Sequence, residues 1–318
     1  MAKKAVQKKK PAARGVKKSK SRFLWPLFLV MMVGATLAAT AYFIFLTPGT
    51  GRLSQDALPG LTAGSKSPPI KPQIAYEETA LPEPAEDVLQ PEAAEVVASG
   101  RPRLALLIDD MGNRHQLGRQ LIELDLNLSF AILPFTPHGH SLMEMARSRQ
   151  REILLHLPME ATLAKWDPGP GALTTSMSAG AIKAQVRKDL EDIPYAVGVN
   201  NHMGSKFTSN KEAMRAALAP LKARNLFFVD SITIAGSVAY DEARAMAMKT
   251  GRRDIFIDNE QDEAKIKAQL VRLVQIARKH GSAIGIGHPH PATIATLQKD
   301  GAWLREQVDL VGISTLME

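Results

Sequence analysis

Residues 101–318 predict an α/β fold, a (β/α) barrel-like domain of seven or eight parallel strands, on three observations. Short runs of Leu, Ile, Val and Phe recur along this stretch, apolar at consecutive positions as strands buried on both faces must be. Amphipathic segments long enough for helices lie between most of them. The residues that follow each run are His, Asp, Asn and Ser, a choice that burial alone does not explain.

The expected strands are "LALLID" (104–109), "LSFAIL" (128–133), "EILLHL" (152–157), "AVGVNN" (196–201), "LFFVD" (226–230), "DIFID" (254–258), "AIGIG" (283–287) and "LVGIS" (310–314). Helical periodicity is clearest in "AGAIKAQVRKDLEDI" (179–193) and "DEAKIKAQLVRLVQIARKH" (262–280). So many strand and helix units in one domain suit a closed or nearly closed barrel. The competing open, doubly wound sheet carries a Gly-rich turn after its first strand, and "DDMGN" has a single Gly.

Upstream the chain changes character three times. Residues 1–22 hold ten basic side chains and no acid, so the formal +8 becomes −2 over the rest of the chain. A globular nucleic-acid binder would carry its positive charge on the folded part, and that class is excluded as the expectation. Residues 23–46, "FLWPLFLVMMVGATLAATAYFIFL", contain no charge and as a helix would span roughly 36 Å, enough to cross a bilayer core of about 30 Å. This apolar run is longer than a cleaved signal requires, so it is expected to be an uncleaved transmembrane helix. The basic tail would stay cytoplasmic and the rest of the chain would be exported. Residues 47–100 are rich in Pro, Ala, Glu and Ser without apolar period and read as a flexible, disordered linker, about 40 Å end to end as a coil.

The polar residues after the strands are Asp109 and Asp110, His156 with Glu160, Asn200, Asn201 and His202, Asp230 and Ser231, and His288 and His290. In a barrel of parallel strands all of these fall on the face where active sites are assembled. Taken singly they have structural readings: Asp pairs cap helices, Asn pairs form turns, and a His can be a bonded core residue. Together they have metal-ligand composition, and with no Cys in the chain a metal site must be built from His and carboxylates. A divalent ion, with Zn²⁺ the first expectation, would also explain adjacent carboxylates, one binding the ion while the other acts on a water. Asn201, Ser231 and His290 are the expected substrate contacts.

In order, "LALLIDDMG", "AILP", "EILLHLPME", "NNHMGSKFT", "FFVDS" and "GIGHPHP" resemble the divergent polysaccharide deacetylase family, a bacterial envelope branch related to carbohydrate esterases. The resemblance covers about residues 101–318. It implies a deacetylase-type barrel in which Asp109 is the general base, Asp110 and His156 are metal ligands, and His288 is the general acid supported by Asp230. The ordinary second motif carries two His; here Glu160 stands at the second position, so Glu160 or the neighbouring His202 would complete the ligand set. The ordinary third motif supplies an Arg that orients the base, and "NNHMGS" supplies none. The implied activity is metal-dependent removal of acetyl groups from an envelope polysaccharide or peptidoglycan-like glycan. The implied setting is the bacterial inner membrane, single-pass, with the domain in the periplasm. A noncatalytic glycan-binding or envelope interaction protein on the same fold is the alternative.

Overall fold

The computed structural model describes residues 100–318. The basic tail, the apolar segment 23–46 and the linker up to residue 99 lie outside them. Among the described residues no helix is long and apolar enough to cross a membrane.

The chain alternates strand and helix. The strands are β1 (Arg103–Met111), β2 (Leu128–Ile132), β3 (Ile153–Met159), β4 (Gly198–Met203), β5 (Phe227–Asp230), β6 (Thr250–Arg252), β7 (Ile255–Phe256), β8 (Ser282–Gly287) and β9 (Asp309–Leu310). The helices are α1 (His115–Glu123), α2 (Gly139–Ser148), α3 (Ala179–Asp192), α4 (Lys211–Ala223), α5 (Ala239–Ala245), α6 (Glu263–His280) and α7 (Pro291–Gln307). Helix starts are set by local chemistry: Ser178, Asn210 and Asp262 each accept a hydrogen bond from free backbone N–H groups of α3, α4 and α6. Helix α6 ends in Arg278, Lys279 and His280, cations at a helix carboxyl end, followed by Gly281 at φ 84°.

All nine strands of the described residues join one sheet, in the order β6-β5-β4-β3-β2-β1-β8-β7, with β9 beside the first two residues of β1. Every pairing is parallel. The outermost strands, β6 and β7, are separated in sequence by Arg253 and Asp254 alone. Such a link reaches at most about 11 Å, so the two edges are drawn together and the sheet curls. Arg253 N donates to Asp230 O in β5 at 3.0 Å and Asp254 N to Ile284 O in β8 at 2.9 Å, so the link is tied to both sides. The result is a curled half-barrel whose edges meet without pairing.

Three elements differ from the sequence expectation. The strand expected at 254–258 shrinks to β7, because its first residue belongs to the crossing between the edges. Strand β6, with the sequence Thr-Gly-Arg, offers no apolar run to detect. The strand expected at 310–314 gives way after β9 to a 3-10 turn at Ile313–Leu316. Ile313 leaves the sheet to be buried beneath it.

Strand parity divides the core. Leu104, Leu106 and Ile108 pack outward against the helices, in one cluster with Leu155, Val199 and Phe228. Ala105 and Leu107 face the concave side with Leu154, Phe227, Val229, Ile284 and Ile286. Ile313, Leu316 and Met317 close that side from below, and the chain end is fixed by paired backbone bonds between Thr250 and Glu318. Continuing the same alternation upward, Asp109, His156, Asn200, His202, Ser231 and His288 lie above this apolar plug at the carboxyl ends of the strands.

Candidate active site

Asp110, His156 and His202 meet at the top of the half-barrel, each offering a ligand atom within 4.8 Å of the others. Asp110 owes its place to a break in register between β1 and β2 from Ile108 to Met111, with its own backbone at φ 54°. The irregularity brings two consecutive carboxylates of one strand into the same site, which regular alternation would forbid. Asp110 Oδ1 lies 2.9 Å from His202 Nδ1 and 3.2 Å from His156 Nε2. Burial raises the Asp110 pKa, but the two imidazoles outweigh it and hold the carboxyl well below the usual range.

His156 is oriented from behind. Its Nδ1 lies 3.0 Å from Asn200 Oδ1, so the amide oxygen accepts the Nδ1 proton and Nε2 turns towards Asp110. The Asn200 amide nitrogen donates to both oxygens of Asp109, at 2.9 and 3.0 Å, and lies 3.1 Å from Ser231 Oγ. Asp109 stands 3.7 Å from His156 Nε2. Burial pushes its pKa up, against the opposing pull of His156 and His288.

From β8, the strand paired with β1, the chain continues into His288, whose Nδ1 lies 2.9 Å from Asp258 Oδ1. The other oxygen of Asp258 accepts from the His288 backbone N–H and from Thr293 Oγ1, each at 2.6 Å. Burial would lower the His288 pKa, but Asp258 dominates and the imidazole is pushed up to about 9. A cavity of about 60 Å³ lies among these groups, lined by Asp109, His156, Ser231, Phe256, Asp258 and His288.

Of the residues singled out in the sequence, Asp109, Asp110, His156, His202 and His288 converge here. Ser231 and Asn201 line the cavity, although the Asn201 amide is engaged by Ser231 N–H at 2.9 Å and donates to Met203 O at 2.8 Å. Glu160 is held elsewhere. Beyond the end of β3 its carboxylate accepts from Thr175 N and Oγ1 at 2.6 and 2.7 Å, and pairs with Lys206 Nζ at 2.7 Å. Asp230 caps the turn after β5 through Ile232 N–H, Ser237 Oγ and Tyr240 N–H, and the carboxylate that supports His288 is Asp258. His290 sits with its ring centroid 5.9 Å from that of His288, forming with Asp258 a second acid and imidazole group. There the oxygens of Asp258 are already engaged by His288 and Thr293.

The first group fits a divalent cation. The buried oxygens of Asp110 accept no hydrogen bond in acceptable geometry among the described residues, and nitrogen atoms of two imidazoles crowd around them. One carboxylate and two His suit Zn²⁺ or a related first-row ion, with positions left for water or substrate.

A curled sheet of parallel strands that gathers an Asp-His-His cluster, a second Asp and an Asp-supported His at the strand ends defines a deacetylase-type (β/α) protein. The chain belongs to the divergent polysaccharide deacetylase family, whose model matches residues 106–317. It is 40% identical to the Escherichia coli (strain K12) protein YibQ over 215 residues, 68% of this chain and 67% of that one. It is 36% identical to a Haemophilus influenzae protein over 214 residues, 67% of this chain and 76% of the relative. The crystal structure of ATU2773 from Agrobacterium tumefaciens C58 superposes with a TM-score of 0.66 at 26% identity, covering 69% of this chain and 91% of that one.

Proposed function

We propose that this chain is a metal-dependent hydrolase that removes acetyl groups from amino sugars of an envelope glycan. The observation that carries the reading is that Asp109 and His288, which follow the paired residues Ile108 and Gly287 on adjacent strands, line one cavity together with His156 and His202 of the Asp110, His156 and His202 cluster.

Asp110, His156 and His202 would hold the cation, which supplies polarisation of the acyl oxygen and a more acidic water. Asp109 accepts the proton of the water that attacks the acyl carbon. Its burial keeps its basicity above that of an ordinary carboxylate, which suits a base working near neutrality. His288 carries a proton at neutral pH, because Asp258 raises its pKa to about 9, and delivers it to the departing sugar nitrogen. Asn200 fixes the direction of the base and of His156 at once. Phe256, stacked on His288 at 5.7 Å between ring centroids, gives the cavity an apolar wall for a small acyl group.

The same reading places residues 23–46 in the bacterial inner membrane with the amino terminus in the cytoplasm, and the linker carries the domain into the periplasm. This is supported by the charge-free run and the ten basic residues before it. Acetate release by the full chain from an acetylated amino-sugar oligomer, with Zn²⁺ or Co²⁺ added, tests the reaction. Release that vanishes in Asp109→Asn supports it. No release with either metal, while the oligomer still binds, identifies a glycan-binding protein instead.

A further inference from the structure

A second, much larger space opens beside the catalytic cavity. It measures about 540 Å³, within the range of small-molecule sites, roughly 300–1,000 Å³. Its floor is formed by Asp110, His202 and Met203, and the last two also line the catalytic cavity, so the spaces share a wall. One side is the loop after β2, and the other is the loop after β3.

Each loop brings one aromatic ring to this space. Phe135 is 44% exposed, one of only four large exposed hydrophobic residues among those described. Its backbone is left-handed at φ 56°, a costly conformation for a Phe, and its N–H is held by Asp192 Oδ2 at 2.7 Å. The strain is maintained by α3 and yields an aromatic ring exposed on the rim. From the loop after β3, Trp166 is half-buried, with Lys165 Nζ 4.9 Å from its ring centroid. Its loop is stiffened by Pro168 and Pro170 and by the bond from Gly169 N–H to Asp167 Oδ1 at 2.9 Å. The lining also includes Asn113, Thr136 and Asp167, which supply amide, hydroxyl and carboxylate groups.

Such a surface matches a pyranose ring. A sugar presents an apolar C–H face that packs on aromatic rings and a rim of hydroxyl and amide groups for the polar residues. The lining has one Lys against Asp110 and Asp167, so it provides no cationic cluster for a phosphorylated or otherwise polyanionic ligand. We infer that the groove between the loops after β2 and β3 is a binding subsite for a neutral pyranose of a glycan chain, gripped by Phe135 and Trp166. The inference rests on the hydrolase reading and extends it: the acyl group enters the small cavity and the sugar extends in one direction, towards these two rings.

The test uses the full chain carrying Asp109→Asn, which cannot turn substrate over, and the β-1,4-linked N-acetylglucosamine tetramer as probe. Calorimetric titration should detect binding. Adding Phe135→Ala or Trp166→Ala should weaken it about fivefold each, the size of one aromatic contact. Trp166→Phe should recover most of the loss, and Trp303→Ala, outside the groove, should change nothing. Thermal melting of each variant separates lost contact from lost fold. Affinity within twofold of the parent in both folded alanine variants, or no binding of the tetramer, overturns the subsite. Acetate release by the wild-type chain is scored separately: release without tetramer binding removes the subsite and leaves the hydrolase, whereas ring-dependent binding without release does the reverse.

Discussion

The amide nitrogen of Asn200 lies 2.9 and 3.0 Å from the two carboxylate oxygens of Asp109, while the amide oxygen of the same side chain faces His156 Nδ1 at 3.0 Å. One neutral side chain thus orients both the proposed base and an imidazole of the proposed cation cluster. A neutral amide directs Asp109 without cancelling its charge.

Asn200→Ala should therefore affect two quantities together. Turnover and metal affinity should each fall about 10–100-fold, the usual loss when a partner that orients a ligand is removed. Steady-state kinetics and chelator competition measure the two effects. A fall in turnover with unchanged metal affinity would show that His156 does not depend on this amide.

Asp258→Asn should lower the pKa of His288. The raised value of about 9 means that the protonated acid persists through neutrality and is lost as pH rises through that value. Without the Asp258 charge the loss comes at lower pH. Imidazole titration by NMR in the metal-free chain should show this directly, and the alkaline limb of the rate profile should move the same way.

Glu160 and His202 make opposite predictions. Glu160 is occupied by Thr175 and Lys206, so Glu160→Ala should change metal affinity by no more than about threefold. His202→Ala removes a ligand atom and should cost more than the roughly 100-fold upper range of orienting partners. Zinc titration against a competing chelator compares them.

Asp189 should make stability depend on pH. It is buried on α3, bonded by Gln185 Nε2 at 2.7 Å, with its other oxygen unpartnered among the described residues, and burial raises its pKa to about 7. A folded pKa above the unfolded value means that the folded state binds the proton more tightly. Its contribution is full below the unfolded pKa of about 3.8 and is lost as pH rises through about 7. Over that window the shift corresponds to on the order of 4 kcal/mol. Asp189→Asn should flatten this part of the profile, so urea midpoints of wild type and variant should diverge more at pH 8 than at pH 5, with the variant the more stable at pH 8.

The parity of the strands was legible from the sequence, and the order of the strands was not. In "VGVNNH" the apolar Val199 faces the helices, so alternation points Asn200 and His202 to the site; the residue expected as a substrate contact was Asn201, whose amide is instead engaged by Ser231 N–H and Met203 O at the cavity wall. "FFVDS" and "DIFID" each end an apolar run in Asp, and nothing local says which Asp meets His288. The sheet decides: β7 pairs with β8, which leads to His288, whereas β5 stands at the far side of the order. Glu160 occupied the position of an expected ligand by spacing along the chain. The strand ends at Met159, however, and the turn beyond it bonds to Leu173, carrying the carboxylate to Thr175. Phe135 and Trp166 were hidden because each lies in an irregular loop, and it is the pairing of β2 with β3 that brings those loops to one space.

The most direct test is the zinc content of the purified full chain after saturation with Zn²⁺ and dialysis. One ion per chain is expected in the wild type and close to none in a chain carrying both His156→Ala and His202→Ala, with Glu160→Ala remaining at one. A wild-type chain that retains no zinc, or a double variant that retains a full equivalent, would contradict a single cation held by Asp110, His156 and His202.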